Sequence, residues 1–335
     1  MSDKPSVRIH PFAFLSRWRS LPSFELISYV FMFASIPMLA YGIRPYDSSI
    51  IIIIILSILS LYSGFFAALI WNDITDAEID SIAHPDRPIP SGMISSKKFF
   101  AVALVFSAMT FIFAFLVSFW CLILVGAAAL FVTFHDKYLK KIVKFPAYSE
   151  IFTPVQWIIV PMFGFLALWT AFQSTGDMQA SFPFFSNIFG HISFNSYDFQ
   201  NMLLLVLFTY FADNAHDLPE GIHDVEGDRK LGVKTYATSF GEKNAARVSF
   251  AMFLISGILG FLIFYRTILT PVFLIPFLGI WLYTLYYSYR LLKADVKEMK
   301  PLGALVGRKG FNYFLLAYDL IFLDVFIRLI LFHFN

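Results

Sequence analysis

Charged residues are scarce in this chain of 335 residues: Asp, Glu, Lys and Arg make up 14% of it, and hydrophobic residues 58%. Soluble domains contain roughly 25% charged residues, so the composition excludes a soluble enzyme and indicates a protein that lies largely in lipid. Cys121 is the single cysteine, which excludes an intrachain disulfide and a multi-cysteine metal site. The formal net charge of +2 is small, and the basic residues form short separate groups. A nucleic-acid-binding surface is therefore excluded as well.

Long apolar runs predict nine membrane-spanning helices, because a crossing takes about 20 apolar residues and lipid leaves no backbone unpaired. We therefore expect an all-α, polytopic membrane protein whose helices surround a central cavity. The polar and basic residues 1–23 predict an interfacial arm, and residues 24–335 a single transmembrane domain. The predicted spans are Phe24–Tyr41, Ser49–Ile70, Phe99–Val117, Phe119–Phe134, Ala147–Ala171, Phe199–Pro219, Ala245–Tyr265, Ile268–Tyr289 and Phe311–Phe334.

The basic residues predict the orientation, because cytoplasmic loops of membrane proteins are enriched in Lys and Arg. With the N-terminus placed inside, nine alternating spans leave only Arg44, Arg266 and Arg328 outside, and the other Lys and Arg residues of the 25 inside. We therefore predict a cytoplasmic N-terminus and place the protein in the plasma membrane of a prokaryote.

The acidic residues are gathered in two clusters, each at the predicted cytoplasmic end of a span. The first follows the second span and the other follows the sixth. Their members are Asn72, Asp73, Asp76, Glu78, Asp80 and Asp86 in the first cluster, and Asp213, Asp217, Glu220, Asp224, Glu226 and Asp228 in the second.

The spacing within the clusters predicts stripes of oxygen ligands, because helical residues four apart point the same way. Asn72, Asp76 and Asp80 have this spacing, and so do Asp224 and Asp228. Like charges so placed repel one another unless a cation neutralises them. Carboxylate oxygens suit Mg²⁺, which completes its coordination with water and substrate phosphate. The pattern predicts a diphosphate held between metal ions that bind the two stripes.

Basic residues adjoin both clusters, which is where phosphate oxygens left over from metal binding need donors. Arg87 follows the first cluster, and Arg229, Lys230 and Lys234 follow the second. The prolines of the HPDRPIP segment predict a rigid turn after the second span that folds Arg87 back over the site. No His-x-x-x-His pair occurs, so we expect the histidines to form hydrogen bonds or lie at the interface rather than to bind metal. The histidines concerned are His84, His135, His216 and His223.

At these residues the chain resembles the UbiA-type intramembrane prenyltransferases, nearest to the branch with digeranylgeranylglyceryl phosphate synthases, chlorophyll synthases and homogentisate prenyltransferases. The family's first motif, N-D-x-x-D-x-x-x-D, and its continuation R-P-[LI]-P-S-G, match Asn72, Asp73, Asp76, Asp80 and Arg87–Gly92. The second motif, D-x-E-G-D followed by G-x-[KR]-[ST], matches Asp224, Glu226, Gly227, Asp228, Gly232, Lys234 and Thr235. The HDKYLKK loop resembles a family segment that places Tyr138 close to Lys140 and Lys141.

The resemblance implies Mg²⁺-dependent transfer of a prenyl group from its diphosphate to a lipophilic acceptor, either an aromatic ring or an alcohol of the glycerol phosphate type. It implies a metal set of Asp73, Asp76, Asp80, Asp224 and Asp228, with Asn72 orienting a metal or a phosphate oxygen. The expected diphosphate ligands are Arg87, Tyr138, Lys140, Arg229 and Lys234. The chain departs from the branch at Glu220 and Gly221, where Lys-Asp or Asn-Asp is usual. Extra polar residues, Asp213, Asn214, His216 and Asp217, precede that point.

Four other kinds of membrane protein carry acidic residues in or near their helices. A cation transporter explains the acids but not the neighbouring bases, and transporter sites lie near the bilayer midplane rather than at one face. A CDP-alcohol phosphotransferase requires a D-G-x-x-A-R segment that the sequence lacks. A purely structural membrane protein has no need of two adjacent acidic stripes. A terpene cyclase of the same fold and the cation transporter stay open as alternatives.

Overall fold

The computed structural model describes residues 23–83, 85–139, 143, 145–171, 192 and 195–333, all of it helices and connecting turns. The predicted arm up to residue 22 and Lys140 lie outside the described residues. Twelve α-helices and a π-helical turn, His135–Leu139, make up the described part of the chain. The α-helices are α1 (Ser23–Tyr41), α2 (Ser48–Thr75), α3 (Ala77–Ala83), α4 (Ser96–Val117), α5 (Phe119–Phe134), α6 (Tyr148–Phe152), α7 (Val155–Ala171), α8 (Ser196–Leu231), α9 (Tyr236–Phe240), α10 (Glu242–Arg266), α11 (Pro271–Lys293) and α12 (Val296–His333).

The all-helical fold is confirmed within these residues, and eight of the nine predicted spans lie, over their described residues, mainly within one helix each. The fifth, Ala147–Ala171, is divided between α6 and α7. Six candidate spans are long and apolar enough to cross a bilayer: α1, α2, α4, Glu150–Ala171, α10 and α11. Helix α5 is shorter, at 16 residues, and the long helices α8 and α12 carry charged residues towards one end. The count of nine spans and the orientation of the N-terminus therefore stay predictions.

Ser118 divides α4 from α5, where the sequence predicts two nearly fused spans. Its backbone is extended, its N–H donates to Ala114 O, and its hydroxyl accepts from Cys121 N at 3.0 Å. One residue thus ends a helix and begins the next, because its side chain satisfies an amide that the second helix leaves without an internal partner.

Helix α8 passes through Pro219, where the sixth predicted span ends, and continues to Leu231. It stops at Gly232, whose φ of 72° is the left-handed conformation that glycine adopts at helix C-termini. The predicted boundary marks where the apolar run ends and not where the helix ends. All the acidic residues of the second cluster consequently lie on one continuous helix.

A central aromatic group of Tyr29, Phe65, Trp157 and Phe314 joins four helices. Ring centroids are 4.4 Å apart between Tyr29 and Phe65, 5.9 Å between Phe65 and Trp157, and 5.7 Å between Trp157 and Phe314. Contacts at these separations contribute beyond the burial of apolar area. The group extends from α2, which carries the first acidic cluster, to α12, which packs along α8.

Helices α10 and α11 pack so closely that one glycine has no room for a side chain. A Cβ added to Gly260 would lie 2.0 Å from Cζ of Phe277, whose ring is fully buried. We expect Gly260→Ala to destabilise the protein by about 1–3 kcal/mol, because the buried ring cannot move aside. Thermal unfolding in detergent measures the change. Gly279→Ala in α11 is the matched control, because nothing lies within 4 Å of its added Cβ, and an equal loss in both variants would contradict the prediction.

Candidate active site

The two acidic clusters lie at the same end of the helix bundle. Near the start of α1, the carbonyl of Leu26 accepts a hydrogen bond from the Tyr62 hydroxyl on α2 at 3.1 Å. The neighbouring Glu25 interacts electrostatically with Glu220 on α8. Tyr62 and Glu220 therefore lie at about the same height in the bundle, beside the start of α1. Beyond these residues, α2 and α8 both continue towards their acidic C-terminal ends. The described helices therefore place both clusters on one side, as the sequence predicts.

The first cluster occupies the end of α2 and the short helix after it. Asp76 ends α2 and α3 begins at Ala77, so the predicted stripe is not one uninterrupted helix. The i to i+4 bonding nevertheless continues across the break, from Asp76 N to Asn72 O at 2.9 Å and from Asp80 N to Asp76 O at 2.8 Å. Asn72, Asp76 and Asp80 thus keep helical spacing and remain on one face.

Arg87 folds back onto this cluster, as the proline-rich turn predicts. Its Nη1 donates to both carboxylate oxygens of Asp80, at 2.7 and 2.6 Å, and lies 3.9 Å from Oδ1 of Asp73. Both aspartates are buried, whereas Arg87 is partly exposed. A guanidinium that bridges two buried carboxylates offsets one of their two negative charges and leaves its other donors available to an anion.

The second cluster places Asp224 and Asp228 one turn apart near the end of α8. Burial, and after it the neighbouring Asp224 carboxylate, raise the pKa of Asp228 to about 6. The raised pKa means that burial, and to a lesser extent the neighbouring carboxylate, disfavour the ionised form of Asp228. Asp224 is exposed, so this pair is accessible to a cation from outside the protein.

The predicted phosphate-binding side chains are less closely gathered than the carboxylates. Arg229 donates from Nη2 to Oε1 of Glu242 at 3.0 Å, which ties it to the start of α10. Lys234 is exposed on the turn after α8. The half-exposed ring of Tyr138 packs on Phe134, with centroids 5.4 Å apart. Of the predicted donors that the structure describes, Arg87 is the one whose ion pairs to the predicted metal ligands are seen.

Glu150 is a neighbour of the second cluster that the sequence does not reveal. This buried residue of α6 accepts a hydrogen bond from Tyr236 N at 2.7 Å and interacts electrostatically with Asp228. Its Oε1 lies where Gly221 leaves space, 3.2 Å from the position of an added Cβ. The contact joins residues far apart in sequence, so no local spacing predicts it.

Curated relatives of this chain are named digeranylgeranylglyceryl phosphate synthase. The one from Pyrococcus horikoshii is 26% identical over 226 residues, which cover 67% of this chain and 66% of the relative. The one from Methanobrevibacter smithii is 30% identical over 209 residues, covering 62% and 65%. The chain thus spans about two thirds of the length of these relatives.

Two solved structures share the fold. The apo structure of a UbiA homolog from Aeropyrum pernix K1 aligns with a TM-score of 0.60 at 17% identity, covering 88% of this chain and 98% of that one. A structure described as concerning digeranylgeranylglyceryl phosphate synthase in membranes aligns with a TM-score of 0.58 at 19% identity, covering 90% and 99%. The likeness confirms the predicted fold of an integral, multi-pass membrane protein.

The model of the UbiA prenyltransferase family matches residues 28–302, a range that contains both acidic clusters. The predicted family and the predicted class of enzyme, a prenyltransferase, are thereby confirmed, and the chain belongs to the UbiA prenyltransferase family.

Proposed function

We propose that this chain transfers a prenyl group from an isoprenoid diphosphate to a lipophilic acceptor within the membrane. One observation carries the proposal: two carboxylate clusters lie at the same end of α2 and α8, beside a central aromatic group. The acceptor is an alcohol or an aromatic ring. The name of the curated relatives favours the alcohol, because their product is a prenylated glyceryl phosphate.

The carboxylates fit Mg²⁺, the metal that the family implies. Burial first, and then the neighbouring Asp224 carboxylate, raise the pKa of Asp228. A divalent cation would relieve both effects, and hard oxygen donors of this kind prefer a hard divalent cation. Asp76 and Asp80, with Asp73 beside them, would hold metal at the first cluster, and Asp224 and Asp228 at the second. When bound, the metal neutralises the charge that develops on the departing diphosphate.

The remaining polar groups bind and orient the diphosphate. Arg87 is fixed by Asp80, so its guanidinium meets the anion without first becoming ordered. Asn72, one turn before Asp76, orients a phosphate oxygen or a metal ligand. Lys234, Arg229, Tyr138 and Lys140 supply further donors around the same anion.

The rings of the central aromatic group form the apolar part of the site, on the side of the prenyl chain. As the bond to the diphosphate breaks, the allylic carbon gains positive charge, and the faces of rings such as Tyr29 and Trp157 stabilise that charge. The rings also exclude water, which would otherwise capture the cation. The prenyl tail enters from the lipid, because it is as apolar as the surrounding bilayer. We place the site at the cytoplasmic face of a prokaryotic plasma membrane, in accord with the distribution of basic residues.

Incubation in nanodiscs with Mg²⁺, labelled prenyl diphosphates of several lengths and a panel of alcohols and phenols tests the function. The expected product is a prenylated acceptor together with free diphosphate. A cyclised hydrocarbon formed without any acceptor would show that the protein is a terpene cyclase and not a transferase. Movement of cations across sealed vesicles without any product would instead indicate a transporter.

Removal of divalent metal is expected to abolish transfer, because the clustered carboxylates then repel both one another and the diphosphate. The measurement is product formation with excess chelator, followed by restoration with Mg²⁺. Recovery of full activity on addition of Mg²⁺ separates metal loss from unfolding. Transfer that continues at an undiminished rate in chelator would contradict the metal site.

A further inference from the structure

A polar cluster that is buried at one end and exposed at the other lies on α8 between the central aromatic group and the acidic end of the helix, and we infer that it is a proton relay. The relay residues are Asp213, His216, Asp217 and Glu220. The inference rests on the proposed function, because prenyl transfer to an alcohol or a ring carbon produces a proton. Asp213 and His216 are buried inside the helix bundle, where ionisable groups are costly, which points to a function.

The imidazole of His216 lies between carboxylates on both sides. Its Nε2 is 3.0 Å from Oδ1 of Asp213, and its Nδ1 is 3.4 Å from Oδ1 of Asp217 and 3.8 Å from Oε1 of Glu220. A proton accepted at one ring nitrogen can therefore leave from the other. This two-sided arrangement is what a histidine needs in order to pass a proton onward.

Exposure rises steadily along the relay. The side chain of Asp213 is 1% exposed, that of His216 7%, that of Asp217 20% and that of Glu220 51%. From Asp213 to Glu220 the helix advances about 10 Å towards the acidic end. The relay thus extends from the interior of the bundle to its water-accessible end.

Two atoms of the relay lack hydrogen-bond partners among the described residues: Oδ2 of Asp213 and Nδ1 of His216. A buried polar atom without a partner is costly, so such an atom is a candidate contact for something that binds there. Asp213 also interacts electrostatically with Tyr29, a member of the central aromatic group. Asp213 is therefore a member of the relay that lies within electrostatic reach of the aromatic rings that would surround the reacting carbon.

The packing around the histidine holds it in place. The ring centroid of Phe311 is 5.0 Å from that of His216 in an edge-on contact. Gly310 on α12 lies so close that an added Cβ would be 2.7 Å from Cβ of His216. Other titratable groups that interact electrostatically with the relay are Glu25 on α1, Glu150 on α6, His223 on α8, and Arg308 and Tyr318 on α12.

The proton balance of the reaction defines what the relay does. The acceptor forms one bond to the prenyl carbon and loses one proton, while the carbon–oxygen bond to the diphosphate breaks and its electron pair leaves with the diphosphate. Oδ2 of Asp213 takes the proton, and the carboxyl group turns and passes it to Nε2 of His216 as that ring gives up its proton on Nδ1. The carboxylate of Asp217 or Glu220 turns towards Nδ1, which has no hydrogen bond among the described residues, takes that proton and exchanges it with water.

The same residues are less suited to a single metal ion. Ligand atoms of Asp213, His216 and Asp217 lie within 4.8 Å of one another. The two carboxylates, however, face opposite nitrogens of the imidazole, whereas one ion needs both beside the same nitrogen. The geometry therefore favours proton transfer, and metal binding becomes an outcome of the test.

Two variants, Asp213→Asn and His216→Gln, test the relay in the full chain in nanodiscs. We expect each to lower the rate of prenyl transfer about 10²-fold or more, the usual loss when acid–base assistance is removed. The dissociation constant for the prenyl diphosphate with Mg²⁺ should stay within about twofold, because the acidic clusters are unchanged. The solvent deuterium isotope effect and the pH profile of transfer should change in both variants. Asp319→Asn is the control, because that carboxylate of α12 accepts from Ser28 Oγ at 2.7 Å and is not part of the relay.

Infrared spectroscopy follows the proton without requiring turnover. The carboxyl band that disappears in Asp213→Asn reports protonation of Asp213. After a pH jump, this band should change at least about tenfold more slowly in His216→Gln than in the wild-type chain. An equal response, or unimpaired transfer in both variants, would overturn the relay. The number of Mn²⁺ ions bound per chain is measured as well. If His216→Gln binds one fewer than the wild-type chain, the cluster is a metal site and not a proton relay. If the wild-type chain transfers no prenyl group to any acceptor, the proposed function fails, and the infrared response alone decides the relay.

Discussion

Asp228→Asn is expected to lower the rate of prenyl transfer by about 10³-fold or more. The substitution keeps the size of the side chain but removes one charge from the pair that it forms with Asp224, whose repulsion and burial hold the pKa of Asp228 at about 6. Several kcal/mol of electrostatic stabilisation of the leaving diphosphate are lost with a metal ligand, and each 1.4 kcal/mol is about tenfold in rate. Product formation at saturating Mg²⁺ and prenyl diphosphate measures the effect.

The change at Asp228 also makes a prediction about stability. An asparagine removes the repulsion from Asp224, so the metal-free variant should unfold at the same temperature as the wild-type chain or at a slightly higher one. Glu298→Gln is the matched control for activity, because it neutralises an exposed carboxylate in the first turn of α12. Near-normal transfer by Asp228→Asn, or an equal loss in the control, would remove the second cluster from the catalytic site.

Sequence spacing predicts the parts of this site that arise from helical periodicity. Asn72, Asp76 and Asp80 keep their common face because the i to i+4 hydrogen bonds persist through the break at Asp76. The turn that returns Arg87 to Asp80 is equally local, since prolines on both sides of the arginine restrict the backbone. Each of these features depends on residues fewer than ten positions apart.

Features that depend on distant residues are not predictable in this way. Glu150 reaches the second cluster through the amide of Tyr236 and the space above Gly221, and no pattern near Glu150 indicates either contact. The end of α8 is also missed, because the predicted span stops at Pro219, where the apolar run ends. In the fold, Gly303 of α12 approaches the Pro219 carbonyl, with an added Cβ only 2.6 Å from that oxygen. Packing of this kind is decided by the neighbouring helix and not by the local sequence.

The ion pair at the first cluster predicts a large effect on stability. In Arg87→Met the buried Asp80 loses the guanidinium that binds both its oxygens, and removing one partner of a buried ion pair costs about 3–5 kcal/mol. Methionine keeps most of the apolar length of arginine, so the loss reports charge rather than packing. Thermal or denaturant unfolding of the metal-free protein in detergent should show the full effect.

Mg²⁺ distinguishes a structural ion pair from part of a metal site. If Asp80 is a metal ligand, Mg²⁺ replaces the missing positive charge, and it should restore more stability to Arg87→Met than it adds to the wild-type chain. The double variant Arg87→Met with Asp80→Asn should regain much of the loss without metal, since no uncompensated carboxylate remains. If Mg²⁺ stabilises Arg87→Met no more than it stabilises the wild-type chain, Arg87 and Asp80 are a structural ion pair. The first metal would then bind at Asp76 and its neighbours without Asp80.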